Sequence, residues 1–171
     1  MLVTKEITIA ERTYIQTYSD AGYYIECDGA MYEEAIDAFK KVEANSEKAD
    51  AIYLDAMKYR AQCCYELGKY EDSILIYDTI IGKVDKNEKY LMYFLRGKAY
   101  VALDDENSAV LNFEEAIKLK GVDADLCCEM YYCFKEAGYV DRGESYIKRV
   151  MQNEDIAEYD RGRFYFIMGD Y

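Results

Sequence analysis

The chain has no histidine, no proline and no tryptophan among its 171 residues. Without histidine, serine–histidine and cysteine–histidine nucleophile arrangements cannot be assembled from it, which removes many enzyme classes. Without proline, helix ends fall to glycine, asparagine and aspartate, and stiff proline-rich linkers are excluded. Basic residues are outnumbered, 21 lysines and arginines against 34 acids, for a net charge of −13. Nucleic-acid binding relies on a surface that neutralises phosphates, so a nucleic-acid partner is not expected, and anionic membrane surfaces are disfavoured for the same reason. Long apolar runs are missing too. Apolar residues reach 51% but are interleaved with 32% charged ones, and no stretch approaches the roughly 18 uninterrupted apolar residues of a membrane helix, so direct membrane insertion is not expected. The start, Met1-Leu2-Val3-Thr4-Lys5-Glu6, lacks the basic start, apolar stretch and small-residue cleavage site of a secretory signal. A cytoplasmic location is the expectation, with an exported or lipoprotein domain whose leader has been removed as its alternative.

What is present carries little catalytic or metal chemistry. Among the six cysteines, Cys63-Cys64 and Cys127-Cys128 with Cys133 offer no C-x2-C spacing, and neighbouring helical cysteines point to different sides. Cys64 and Cys127 fall on the packing phase, where free cysteine behaves as a small hydrophobe. Glu33-Glu34 and Glu114-Glu115 are adjacent in sequence, about 100° apart on a helix, and read as solvated faces rather than acid and base partners. The glycines are single and a repeat apart, unlike a phosphate loop. No metal, no cofactor and no enzymatic activity are expected.

Self-comparison is more informative. Arg96-Gly97-Lys98-Ala99-Tyr100, then Asp104, Ala109, Phe113 and Ala116-Ile117, read as two amphipathic helices joined by a tight turn. Gly22, Ala61, Gly97 and Gly162 each precede a bulkier Ile25, Cys64, Tyr100 or Tyr165 by three residues. That spacing marks one helical face. A turn position follows at Gly29, Gly68, Asp104 and Gly169, with Gly138 serving the fourth unit. Second helices carry Ala35, Ser73, Ala109 and Gly143, at spacings of 38, 36 and 34 residues, each followed by Phe39, Tyr77, Phe113 or Ile147. A small side chain lets two helix backbones approach, while the large residue one turn away fills the groove beside the contact.

These residues resemble the tetratricopeptide repeat family over nearly the whole chain, best from Tyr93 through Ile117. The sequence departs from that pattern by lacking tryptophan and the closing proline, and by placing Tyr131 where the fourth unit should carry a small residue. The resulting expectation is an all-α fold, an α-α superhelix of about four repeats and a final unpaired helix, forming one domain over 1–171. The repeats fall at approximately 8–45, 48–83, 86–118 and 122–152, with a partial repeat at 154–171; the first helix spans 8–27 and the second 30–45. The apolar run Phe164-Tyr165-Phe166-Ile167-Met168 closes the chain. It predicts a fragment of a longer array, or a helix that docks on another chain, including a homodimer through this helix.

The resemblance implies a non-catalytic scaffold that binds a peptide or protein segment in the concave groove lined by first helices. Transferring the helical phase gives the groove candidates Tyr23, Lys58, Tyr59, Gln62, Tyr65, Phe94, Leu95, Lys98, Tyr132, Lys135, Tyr159 and Arg163. Tyrosine and phenylalanine supply large contact area with little side-chain entropy to lose. The competing reading is that the aromatic stripe is core, and exposure of Phe94 and Leu95 beside Tyr59 and Tyr132 decides between them. The carboxylate-gripping set of some family members is incomplete here, and Asp20 and Glu129 would repel a carboxylate. An apolar-basic protein or peptide is the expected partner. A self-associating module and a regulatory or sensor domain of a larger protein are the alternatives.

Overall fold

The computed structural model describes the backbone of residues 3–9, 12–19, 22–25, 29–46 and 51–169, and the side chains of 31–46 and 51–169. Eight helices occupy most of it: α1 (Gly29–Asn45), α2 (Ala51–Glu66), α3 (Tyr70–Ile81), α4 (Lys86–Ala102), α5 (Glu106–Lys120), α6 (Ala124–Glu136), α7 (Val140–Met151) and α8 (Glu158–Gly169). Each packs chiefly on its chain neighbours, as α1 on α2, α2 on α3, α3 on α4, α4 on α5, α6 on α7 and α7 on α8, while α4 also touches α6. This is an α-α superhelical repeat, as the spacing predicts.

The segment before α1 departs from that expectation. Instead of a helix over 8–27, the chain forms three strands, β1 (Val3–Ile9), β2 (Arg12–Ser19) and β3 (Gly22–Ile25), in an antiparallel sheet ordered β1-β2-β3. Ile9 lies opposite Arg12 and Ser19 opposite Gly22. The physical reason is local. The strands read Val-Thr-Lys-Glu-Ile-Thr-Ile, Arg-Thr-Tyr-Ile-Gln-Thr-Tyr-Ser and Gly-Tyr-Tyr-Ile, rich in the β-branched and aromatic residues that favour a pleated surface. The first helix pair is therefore incomplete: α1 matches its second helix, and the first-helix position is taken by strands. Three complete pairs follow, α2–α3, α4–α5 and α6–α7, and α8 is a first-type helix.

Turns and caps are written in the sequence. Gly68, Asp104 and Gly138, three of the expected turn positions, have φ of 71°, 62° and 87°. At each, two backbone bonds close the helix end in the same pattern, for example Gly68 N–H to Tyr65 C=O at 2.9 Å and Lys69 N–H to Cys64 C=O at 2.8 Å. Asp85, Asp105 and Asp123 start α4, α5 and α6 by accepting hydrogen bonds from the backbone N–H groups of Asn87 and Glu88, of Ser108, and of Leu126.

Small residues set the helix approach. Ala61 is fully buried, and its carbonyl accepts a 2.8 Å hydrogen bond from the Ser73 hydroxyl across α2 and α3. A Cβ on Gly97 would lie 2.5 Å from the Phe113 ring. In the fourth unit the sizes are exchanged: Tyr131 on α6 is fully buried, and a Cβ on Gly143 of α7 would lie 2.8 Å from the Tyr131 carbonyl oxygen. The large residue that breaks the repeat pattern is thus accommodated by a glycine on the facing helix.

Two apolar clusters result. One joins α1, α2, α3 and the start of α4 around Phe39, Met57, Tyr77 and Ile80. The other joins α4 through α8 around Phe113, Met130, Phe134, Ile147 and Phe164. Leu91, Tyr93 and Leu95 of α4 pack against both. Charged pairs link successive units from outside, including Lys69–Glu33 at 3.2 Å, Arg142–Glu106 at 2.6 Å, Arg149–Glu114 at 2.7 Å and Arg163–Asp125 at 2.8 Å. Among the described residues no helix is long and apolar enough to cross a membrane.

Candidate functional site

The first helices α2, α4 and α6 run to their carboxyl ends around one open cavity of about 640 Å³. Its lining includes Tyr65 of α2, Lys98, Val101 and Ala102 of α4, Asp104 in the turn after α4, and Glu129, Tyr132, Cys133 and Glu136 of α6. The helical period produces this: residues 129, 132, 133 and 136 form one stripe of α6, and 98, 101 and 102 form the corresponding stripe of α4.

Of the groove candidates, Tyr65, Lys98 and Tyr132 meet in this cavity. The Lys98 ammonium lies 5.5 Å from the centre of the Tyr65 ring and 5.9 Å from that of Phe94, a cation–aromatic arrangement that anchors the lysine along the wall. Tyr132 is 41% exposed and meets Tyr131 edge to face at 5.1 Å.

The other candidates are placed elsewhere. Phe94 is only 5% exposed and stacks on Phe113 with ring centres 5.6 Å apart, so it is a core residue; the expectation of an accessible Phe94 is corrected. Leu95 packs against both apolar clusters. Tyr59 stacks on Phe39 at 5.7 Å, and Gln62 is half-buried one turn before Tyr65. Lys58 is engaged with Asp55 at 3.2 Å and Glu88 at 2.6 Å. Burial pulls its ammonium down, but the hydrogen bonds to those two carboxylates outweigh it and raise the group above its ordinary value. The Lys135 ammonium lies over the Tyr131 ring, 5.4 Å from its centre. Arg163 joins α8 to α6 through Asp125 at 2.8 Å and contacts Asp160 at 3.3 Å. Tyr159 stands 78% exposed on α8. Tyr23 lies in β3, opposite Tyr18, and does not belong to a groove helix.

Val101, Ala102, Asp104, Cys133 and Glu136 line the cavity without having been singled out for the groove. The signal for them is the same stripe continued one turn towards each helix's carboxyl end. Burial holds the Glu129 carboxyl above the usual carboxylate range; Lys98 opposes this, and Asp125 and Glu136 add to it. Burial likewise pushes the Cys133 thiol up to about 12, so it is a neutral thiol at physiological pH and not a nucleophile. Cys64 and Cys127 are buried, as their phase predicts, and Cys63 is buried as well. The cavity therefore presents aromatic surface, one lysine held along its wall and several carboxylates. That chemistry suits recognition of a cationic or apolar group.

No protein-family model matches the chain, and no curated protein sequence matches it. In three dimensions it is similar to the solved crystal structure of MamA, with a TM-score of 0.55 and 20% sequence identity over 77% of this chain and 77% of that one. At this identity the likeness is one of fold, and with the stacked pairs described above it places the chain among TPR-like helical repeats in architecture.

Proposed function

We propose that the chain is a non-catalytic interaction scaffold that holds a segment of another protein along the face formed by its first helices. The observation that carries this reading is the shared cavity of α2, α4 and α6, where half-buried Tyr65 and Lys98 and exposed Tyr132 converge. Packed helix pairs supply a preformed surface, so a bound segment meets little ordering penalty on the scaffold side. Aromatic rings give contact area, and the net charge of −13 favours an apolar-basic segment over an acidic one or a nucleic acid.

Binding to an immobilised array of apolar-basic, neutral and acidic twelve-residue peptides tests this. The wild-type chain should retain apolar-basic peptides, and Tyr132→Ala should lose them while unfolding at an unchanged urea midpoint. Retention that ignores the substitution, or no retention of any class, rejects the reading.

A second reading has its own observation. On α8, Tyr159, Tyr165 and Phe166 are 78%, 61% and 73% exposed, and Gly162 has nothing within 4 Å of an added Cβ. This apolar face favours self-association through α8. Light scattering of the wild-type chain beside Phe166→Glu separates the readings: a dimer that the substitution dissociates supports self-association, and a monomer in both removes it.

A further inference from the structure

We propose that the acidic end of the cavity is a seat for one arginine side chain of the bound segment; this rests on the scaffold reading above and names what that site selects. Asp104, Glu129 and Glu136 face a cavity that contains one basic residue, Lys98. That lysine does not neutralise them by direct contact. Its ammonium is drawn along the wall over the Tyr65 and Phe94 rings, and no ion pair joins it to Glu129 or Glu136 among the described residues. Elsewhere on the surface, carboxylates such as Glu106, Glu114 and Asp125 have arginines of the next unit within 2.9 Å. Glu129 is half-buried and Glu136 exposed, and neither pairs with a cation among the described residues. Asp104 accepts a hydrogen bond from the Tyr139 hydroxyl, a donor that carries no charge.

Backbone charge has the same sign. Tyr65, Val101, Ala102 and Glu136 lie at the carboxyl ends of α2, α4 and α6, where helix dipoles place partial negative charge. Three helix ends and three carboxylates thus act on one space. A carboxylate or phosphate would be repelled from it.

Arginine fits better than lysine because of the surface between the acids. Glu129 and Glu136 stand two helical turns apart on α6, with Tyr132 between them on the same stripe. Tyr132 is exposed enough to offer its ring. A guanidinium stacks on an aromatic plane and hydrogen-bonds carboxylates from its edge at the same time; an ammonium is a compact, strongly hydrated charge without that planar fit.

The test is an amide-resolved NMR titration of the full chain with N-acetyl-arginine methylamide, using N-acetyl-lysine methylamide and N-acetyl-glutamate as comparisons. Saturable shifts confined to 98–104 and 129–137 are expected with the arginine probe, weaker shifts with lysine and none with glutamate. Glu129→Gln with Glu136→Gln should weaken the arginine response at least about tenfold while the spectrum stays dispersed. Equal responses to arginine and lysine, shifts outside these segments, or indifference to the double substitution would overturn the seat. Failure of the scaffold reading looks different: no peptide of the array would be retained, whatever the arginine probe does. Peptides retained through Tyr132 but indifferent to the glutamine substitutions leave the scaffold standing and remove the seat.

Discussion

Single residues at equivalent repeat positions differ in what surrounds them, and this reverses the expected sign of one substitution. Replacing a helical glycine by alanine ordinarily stabilises by up to about 1 kcal/mol. Gly97→Ala should instead destabilise by about 1–2 kcal/mol, since the new methyl meets Phe113 at 2.5 Å and overpacking costs more than the backbone gains. Gly162→Ala, with open space around it, should stabilise by about 0.5–1 kcal/mol. Urea unfolding of both variants checks the pair, and a shared sign would contradict it. Glu129 supplies a pH-dependent case. Its native carboxyl titrates above the ordinary range because of burial, with Asp125 and Glu136 adding and Lys98 opposing. The native state therefore binds a proton more readily than the unfolded chain, and stability falls as pH rises from the unfolded range, about 4.3, through the raised native value. Glu129→Gln should accordingly stabilise at pH 7, with the gain shrinking on acidification and absent near pH 4; a pH-independent difference in urea midpoint would refute the assignment.

Among elements, α8 is the least supported. It packs on α7 and is held to α6 by the Arg163–Asp125 pair, with Phe164 and Ile167 as its buried anchors. Phe164→Ala removes a fully buried ring, a change that typically costs about 3–5 kcal/mol in a core, more than a single docked helix retains. Hydrogen exchange should then show lost protection over 158–169 while α2 through α5 keep theirs, as expected where each unit contacts only its neighbours. Uniform loss along the chain would show instead that α8 is coupled to the whole stack. Elements also show where the sequence was readable. Helices α2 to α7 announce themselves through the period of their apolar faces, with turn residues closing α2, α4 and α6 and aspartate caps opening α4, α5 and α6. The strands do not, because Gly22, Ile25 and Gly29 match the repeat template position by position, while the surrounding threonines, tyrosines and isoleucines favour extended backbone. A few matched positions do not outweigh the local preference of a whole segment.

In the whole molecule, α4 is the joint, since its residues pack against both apolar clusters. Phe94→Ala should lower global stability by about 3–5 kcal/mol and thereby abolish peptide binding, whereas Tyr132→Ala should impair binding with stability changed by less than about 1 kcal/mol. Denaturation and peptide binding measured on both variants separate packing from recognition. A Phe94→Ala protein of wild-type stability would return that ring to the groove.

The sequence by itself determined the three helix pairs from α2 to α7, their turns and the net acidity, because periodicity, capping and net charge are properties of short stretches or of composition. Tertiary structure decided what the period leaves open. Phe94 and Tyr132 are both aromatic and stand on first-type helices, yet Phe113 stacks on one and buries it while the other stays 41% exposed. Tyr131 breaks the repeat in sequence and keeps it in space because Gly143 faces it. Burial depends on the residue across the interface, and that residue lies one helix away, beyond the reach of any local pattern.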